Sequence, residues 1–165
     1  MGLVVFALWL LAAPLLVVVT DETYWSGPPD RLCKGKPGAV YREPRTTDSE
    51  VSYEQLKHLL SSSSVQLFDV RNPDEFKAGN IPGSTNVPLG DLQEALGLSP
   101  DQFRQRYKVR IPDKEDGNIV IYCQRGCRSA NALDIMWPLG YSRARHYPGG
   151  YSVWIQHQEY SFTEE

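Results

Sequence analysis

Cysteine and histidine are both scarce in this sequence. Its 165 residues include three cysteines, Cys33, Cys123 and Cys127, and three histidines. So few thiols, in an odd number, do not form a disulfide framework, and at least one must stay free or pair outside the chain. No histidine lies at a zinc-like spacing from a cysteine, so we expect neither a metal nor another cofactor.

A strong excess of charge of either sign is also missing. Lys and Arg total 17 against 20 Asp and Glu, which gives a formal net charge of −3. Without a basic excess the chain has little electrostatic attraction for a polyanion, so no nucleic-acid partner is expected. No repeat of solenoid length is visible. With 41% apolar residues, the length fits one globular domain plus extensions.

The first twenty residues carry no charged side chain. As a helix, the apolar run from Met1 to Val19 would be about 27 Å long, close to the ~30 Å core of a bilayer. However, no Lys or Arg precedes the run, no small-residue cleavage site precedes Asp21, and Pro14 interrupts it. Two interpretations stay open for residues 1–20. In the first, these residues are a signal peptide or a membrane anchor, and they are the only part of the chain expected to contact a membrane. In the second, they are an extension without a targeting role, and the protein is expected in the cytoplasm or the mitochondrion.

Residues 21–49 have the composition of a linker. Clusters of glycine and proline, such as Gly27-Pro28-Pro29, interrupt every periodic pattern in this segment. Cys33 lies within it, and we interpret this cysteine as incidental. The folded domain is then expected over residues 50–160.

Strand-like and helix-like segments alternate in that domain. Two apolar runs, Val65–Val70 and Asn118–Tyr122, predict buried strands. Ser52 and Ser99 each stand three residues before a glutamine, the capping-box signature of a helix start. Shorter strands are expected at 85–87 and 143–147. This alternation predicts an α/β fold with a mainly parallel sheet and helices on both faces, whose ligands bind beyond the carboxyl ends of the strands.

Cys123 ends the second long strand and begins a polar loop. Residues 124–128 read Gln-Arg-Gly-Cys-Arg, and a helix is expected to follow at 129–136. Backbone N–H groups of such a loop, together with a helix N-terminus, form a pocket for negative charge. Gly126 permits the positive φ that helps the loop to curl. The two arginines of the loop add positive charge.

The same pocket would activate the thiol of Cys123. A free thiol has a pKa of about 8.5 and is mostly protonated at neutral pH, whereas a positive field favours the nucleophilic thiolate. A covalent intermediate on sulfur would divide a group transfer into two easier steps. The alternative is a structural cysteine, since free cysteine is among the most buried residue types. The residues after Cys123 are too polar to continue a core, which favours the functional interpretation.

The loop resembles the active-site pattern of the rhodanese family, Cys-x-x-Gly-x-Arg followed by Ser or Ala. Every fixed position of that pattern is met by residues 123–129. The resemblance extends from Val51 to Gln158, and Asn80 departs from it where the family often has His. Other similar segments lie at 67–71, 75–76, 79–83, 86–88, 139–141 and 149–150, and Trp154 also matches.

This resemblance implies a mainly parallel five-stranded sheet and the activity of a thiosulfate sulfurtransferase. Cys123 would attack the outer sulfur of thiosulfate, or of another sulfane-sulfur donor, and carry it as a persulfide. The acceptor would be glutathione, thioredoxin or a similar thiol, or cyanide. Asp69 and Arg71 would support the loop from a neighbouring strand end. The residues implied to bind persulfide and substrate are Gln124, Arg125, Gly126, Cys127 and Arg128.

Individual roles follow from the resemblance, with alternatives for several residues. Arg128 is expected to brace the loop, and Arg125 to contact substrate. Asp69 could equally be a turn residue at a strand end. Glu75 is interpreted as a solvated helix charge. Cys127 is interpreted as a variable loop position, rather than as a residue that receives the persulfide or forms a disulfide with Cys123.

Two other functions compete with sulfur transfer. Related phosphatases and arsenate reductases have loops that look like Cys-x-x-x-x-x-Arg, one residue longer than the spacing from Cys123 to Arg128. The shorter loop suits a single sulfur atom better than a tetrahedral oxyanion. Many rhodanese-like domains have lost the cysteine and serve as non-catalytic protein-binding modules, and the presence of Cys123 argues against that alternative.

Overall fold

The computed structural model describes residues 47–161, and it describes side chains over residues 48–159. The expectations for residues 1–20, for Cys33 and for the linker before residue 47 lie outside the described residues. A 3-10 turn at Thr47–Ser49 comes first. The elements that follow are α1 (Tyr53–Ser61), β1 (Gln66–Asp69), α2 (Pro73–Ala78), β2 (Thr85–Asn86), α3 (Leu92–Ala95), α4 (Pro100–Tyr107), β3 (Ile119–Tyr122), α5 (Cys127–Met136), β4 (Arg145–His146) and α6 (Gly150–Ser161).

Two helices begin at the predicted capping boxes. The Ser52 hydroxyl accepts a hydrogen bond from the Gln55 N–H at 3.2 Å, and the Gln55 side chain accepts one from the Ser52 N–H at 2.9 Å. Ser99 and Gln102 make the same exchange at the start of α4. Each box satisfies N–H groups that the first turn of a helix leaves without an intrahelical acceptor. Local sequence therefore sets where α1 and α4 begin.

The four strands form one sheet in the order β2-β1-β3-β4, and every neighbouring pair is parallel. This confirms the predicted parallel α/β fold, but within residues 47–161 the sheet has four strands and not five. A single bridge between Glu50 and His146 extends it beyond β4. No full strand forms there because Ser52, two residues after Glu50, already caps α1.

Both faces of the sheet are buried under helices. Along β3, Ile119 and Ile121 pack with residues of α3, α4 and α5 on one face, while Val120 and Tyr122 pack with residues of α1 and α6 on the other. All four are fully buried. A strand covered on both sides needs apolar residues at every position, which explains the uninterrupted apolar run in the sequence. Among residues 47–161, no helix is both long enough and apolar enough to cross a membrane.

The chain reverses its direction of winding between β1 and β3. From β1 it crosses to β2 on one side, and it then returns to place β3 on the other side of β1. Helices after these strands therefore leave on opposite sides, and a crevice opens at the carboxyl ends of the two strands. Asp69 ends β1 and pairs in register with Tyr122, which ends β3. The residues that follow both strands meet at this edge.

Candidate active site

Cys123 lies directly after β3, at the carboxyl edge of the sheet where the sequence places it. It carries a free thiol and is 2% exposed. Its side chain belongs to the apolar cluster under α5, and its Sγ lies 3.7 Å from the Ser129 hydroxyl. The sulfur is therefore held between the end of a core strand and the first turn of the following helix.

That helix begins two residues earlier than predicted. α5 runs Cys127–Met136, and its N-cap is Gly126 with a φ of +87°. The sequence predicts a helix only from residue 129, because the residues before it are polar. A glycine in the left-handed region turns the chain sharply enough to start the helix at once. Cys127 and Arg128 therefore belong to the first helical turn, and only residues 123–126 connect β3 to α5.

The first turn of α5 lies where the sequence predicts a pocket for an anion. The first intrahelical hydrogen bond runs from the Ala130 N–H to the Gly126 carbonyl at 2.9 Å. The N–H groups of the residues between them have no acceptor within the helix. Such a helix start, with its partial positive charge, is a favourable site for an anion.

Backbone N–H groups at the start of α6 bind the carbonyl groups of the loop that follows β3. The Tyr151 N–H donates to the Cys123 carbonyl at 2.8 Å, and the Ser152 N–H donates to the Gln124 carbonyl at 3.2 Å. Gly150 has a φ of +60°, and a Cβ there would collide with both of these carbonyl groups. Gly150, the first residue of α6, therefore lets the helix start approach the loop, whereas the sequence indicates only a turn there.

Asp69 and Arg71 form a buried ion pair that contacts the loop after Cys123. The Asp69 carboxylate accepts from Arg71 Nε at 3.0 Å and from Nη2 at 2.6 Å, and both residues are almost fully buried. Arg71 Nη1 then donates to the Gln124 side chain at 3.0 Å. Asp69 also accepts from the Arg71 backbone N–H at 2.9 Å, so it is a strand-end turn residue as well. Asp69 therefore contacts the turn after its own strand and, through Arg71, the side chain of Gln124.

Glu75 is not the solvated helix charge that the sequence predicts, so that interpretation is wrong. Its carboxylate binds the Arg128 guanidinium with two parallel hydrogen bonds, at 2.6 and 2.7 Å. The Arg128 guanidinium lowers the pKa of Glu75, and the same pair raises the pKa of Arg128. Glu75 lies 53 residues before Arg128 along the chain, so no local pattern could have revealed the contact. The pair joins α2 to the first turn of α5.

Two other predicted residues lie beside the pocket in different settings. Arg125 is exposed on the loop, whereas Cys127 is half-buried as the first residue of α5. The exposure of Arg125 is compatible with contact to a ligand that enters from solvent. Among residues 47–161, no group of three or more His, Cys, Asp or Glu side chains is placed to hold a metal ion.

Sequence reasoning missed His146. This residue lies in β4 and is 4% exposed. Its Nδ1 lies 3.1 Å from the Ser129 hydroxyl, which places it one side chain away from Cys123. Only the pairing of β4 with β3 brings it there, and a single histidine near the end of the domain is no signal in itself.

Comparison with known proteins finds relatives that are named as sulfurtransferases. The chain is similar to a thiosulfate:glutathione sulfurtransferase of Homo sapiens, at 41% identity over 106 residues that cover 64% of this chain and 92% of that protein. It is 40% identical to the thiosulfate sulfurtransferase/rhodanese-like domain-containing protein 3 of Mus musculus, over 73% of this chain and 74% of that one. The solved structure of a human single-domain sulfurtransferase superposes with a TM-score of 0.64 at 40% identity, covering 66% of this chain and 96% of that one.

The predicted resemblance is confirmed over most of the described chain. The family model of the rhodanese-like domain matches residues 52–157, which include α1, the sheet, the loop after Cys123 and most of α6. That range is more than half of the 165 residues. This chain therefore belongs to the rhodanese-like domain family.

Proposed function

We propose that this chain is a sulfurtransferase that moves sulfane sulfur from thiosulfate to a thiol through a persulfide on Cys123. The observation that carries the proposal is the position of the free Cys123 thiol, between the end of a core strand and the N-terminus of α5. This position combines a nucleophile with a pocket for its anionic substrate. The names of the human and mouse relatives point to the same donor.

The reaction divides into two sulfur transfers. In the first, the Cys123 thiolate attacks the outer sulfur of thiosulfate, the bond between the two sulfurs breaks, and its electron pair leaves with sulfite. In the second, the thiolate of the acceptor attacks the outer sulfur of the persulfide, and the Cys123 sulfur leaves as a thiolate. The enzyme returns to its starting state. The net products are sulfite and a persulfide of the acceptor.

The residues around Cys123 have distinct roles in this proposal. N–H groups in the first turn of α5 stabilise the negative charge of the persulfide. Arg128 adds positive charge, and its pair with Glu75 holds it in place. Arg125 contacts the anionic donor or the acceptor at the mouth of the pocket. Gln124, whose side chain accepts a hydrogen bond from Arg71, stabilises the conformation of the loop.

Glutathione is the acceptor we propose first, because the human relative is named for it. Thioredoxin or a similar thiol would use the same second transfer, and cyanide would replace the thiol in an assay. Steady-state rates with each acceptor at equal thiosulfate rank these choices. A kcat/KM for glutathione far below that for thioredoxin would overturn the first choice while leaving sulfur transfer intact.

The main test follows the sulfur on Cys123. The purified protein is incubated with thiosulfate alone, and peptide mass mapping should find one added sulfur atom on Cys123. Addition of glutathione should remove it, with sulfite and glutathione persulfide as products. Cys123→Ser should show neither the added sulfur nor turnover, and its thermal unfolding should stay close to that of the wild type.

The same assay separates the alternatives. A protein that forms no persulfide with thiosulfate, and turns over no sulfur with glutathione, thioredoxin or cyanide, would be a binding module. A protein that instead releases phosphate from an aryl phosphate, in a manner abolished by Cys123→Ser, would be a phosphatase. Full sulfur transfer by Cys123→Ser would remove the cysteine from the mechanism.

A further inference from the structure

The Ser129 hydroxyl lies among three polar groups beneath the loop. Its oxygen is 2.9 Å from the Gly126 carbonyl, 3.1 Å from His146 Nδ1 and 3.7 Å from Cys123 Sγ. Ser129 is fully buried and His146 is 4% exposed. The distribution of protons among these groups is therefore decided within the protein.

The donors and acceptors around Ser129 can all be paired in one arrangement, in which His146 carries a proton on Nδ1. A hydroxyl has one proton to donate and two lone pairs that accept. The Gly126 carbonyl only accepts, so the hydroxyl proton points to it while Cys123 is a thiol. The thiol then donates to one lone pair of the Ser129 oxygen. The second lone pair faces His146, which can donate to it when Nδ1 carries a proton.

Loss of the thiol proton changes this arrangement in one way. A thiolate sulfur can only accept, so the Ser129 hydroxyl must turn its proton from Gly126 to Cys123. The Gly126 carbonyl keeps a partner when this happens, because it also accepts from the Ala130 N–H at 2.9 Å. The turn therefore leaves no buried acceptor without a donor.

The state of His146 decides whether the hydroxyl proton is available. An imidazole with a bare Nδ1 would itself accept the only proton of Ser129, and the thiolate would lose its donor. With Nδ1 protonated, the imidazole can only donate, so the hydroxyl proton is left for the sulfur. Both the imidazolium and one neutral tautomer carry this proton. On its other side, His146 Nε2 lies 3.9 Å from a carboxylate oxygen of Glu50.

We propose that His146 is a positioning residue for sulfur transfer: it donates from Nδ1 to Ser129 and so directs the Ser129 hydroxyl to the Cys123 sulfur whenever that sulfur is charged. The inference rests on the proposed function for its role in catalysis. The sulfur carries charge twice in the cycle, as the attacking nucleophile and as the leaving group of the second transfer. A hydrogen bond to the thiolate favours both states.

Two amide variants of His146 form a matched test. In His146→Asn the amide nitrogen lies close to the position of Nδ1 and keeps a donor there, whereas in His146→Gln it lies further out, near the position of Nε2. The readout is the rate at which iodoacetamide alkylates Cys123 at neutral pH, with the site identified by peptide mapping. Hydrogen bonds to charged groups contribute enough that His146→Gln and Ser129→Ala should each slow alkylation about tenfold, and His146→Asn less than about threefold.

A double variant tests whether His146 acts through Ser129. If it does, Ser129→Ala combined with His146→Gln should be as slow as Ser129→Ala alone, because the hydroxyl that His146 directs is already gone. Effects that multiply in the double variant would overturn the proposal. So would equal alkylation rates for the Asn and Gln variants, or a wild-type rate in Ser129→Ala.

Alkylation needs no thiosulfate, so its result is independent of the proposed function. The rate of sulfur transfer to glutathione in the same four variants then tests the role in catalysis, and it should follow the order of the alkylation rates. If the alkylation rates follow the expected order but the protein forms no persulfide, sulfur transfer is refuted and the proposed donation from His146 to Ser129 is supported. Thermal unfolding of each variant reports whether it is folded. If His146→Asn and His146→Gln both fold but His146→Asn is alkylated more slowly than His146→Gln, the proposed contact is refuted.

Discussion

The carboxylate of Glu75 makes two kinds of contact that a single substitution can separate. It accepts from the Asn72 N–H at 3.1 Å as part of a helix cap, and it forms the bidentate pair with Arg128. A glutamine at this position can still cap the helix. It cannot neutralise a guanidinium. Glu75→Gln therefore removes the ion pair and leaves the cap.

We predict that Glu75→Gln destabilises the protein at neutral pH and much less in acid. The side chains of the pair are 33% and 22% exposed, so partial solvation limits the loss to about 1 kcal/mol. Because the pKa of Glu75 is lowered from its ordinary value of 4.5, the contribution is present above that value and is lost as the pH falls through the lowered one. Urea unfolding midpoints of the two proteins should therefore converge in acid.

Asp74→Asn is the matched control for this prediction. Asp74 lies in the same helical turn but is exposed, so it shares the favourable effect of a negative charge at a helix N-terminus without the partner. Its midpoint at neutral pH should change less than that of Glu75→Gln. Equal shifts in the two variants would mean that the Arg128 contact adds nothing to stability.

At the scale of elements, the junction from β3 to α5 depends on one backbone conformation. Gly126 is the N-cap of α5 in the left-handed region, and a Cβ there would collide with the Pro148 carbonyl. Pro148 precedes the start of α6, the same helix start that binds the loop carbonyls. The close approach of two backbone segments therefore requires glycine.

Gly126→Ala should lower both stability and sulfur transfer. The left-handed conformation alone costs about 1–2 kcal/mol for a residue with a Cβ, and the collision adds to it. Gly90→Ala is the control, since a Cβ at Gly90 has no neighbour within 4 Å. Thermal unfolding should show a clear decrease for Gly126→Ala and almost no change for Gly90→Ala. A Gly126→Ala protein with wild-type stability and turnover would contradict this account of the junction.

At the scale of the whole molecule, Arg71 connects four segments. It pairs with Asp69 at the end of β1, donates to the Gly79 carbonyl after α2 at 2.7 Å and to Gln124 in the loop. Its guanidinium also lies over the Tyr151 ring of α6, 4.3 Å from the centroid. Because this buried cation contacts all four segments, it stabilises their relative positions around the crevice between the two central strands.

We predict that Arg71→Met strongly destabilises the protein. The substitution preserves much of the side-chain volume but leaves the Asp69 carboxylate buried without its partner, which costs about 3–5 kcal/mol. Arg106→Met is the control, because Arg106 pairs with Asp91 and Glu94 at the surface. The urea midpoint should fall sharply for Arg71→Met and stay nearly unchanged for Arg106→Met. Similar midpoints for both variants would show that burial of the Asp69–Arg71 pair has no bearing on stability.

Much of the fold is readable from the sequence because its signals are local. The capping boxes at Ser52 and Ser99 mark helix starts through contacts three residues apart, and the apolar run before Cys123 marks a strand buried on both faces. Alternation of helices and strands then restricts the sheet to a mainly parallel one. The number of strands is harder to predict from the sequence. The pairing at Glu50 is limited to a single bridge because Ser52 already caps the next helix.

The family can be read from the sequence alone, and so can the proposed nucleophile with its loop, because Cys123, Gly126 and Arg128 lie within six consecutive positions whose spacing is the motif. The pairing of Glu75 with Arg128 and the contact between His146 and Ser129 follow instead from the tertiary fold. These contacts join elements far apart in the chain, and the order of strands in the sheet brings them together. The residue type of a carboxylate or an imidazole side chain does not indicate which distant residue it will contact.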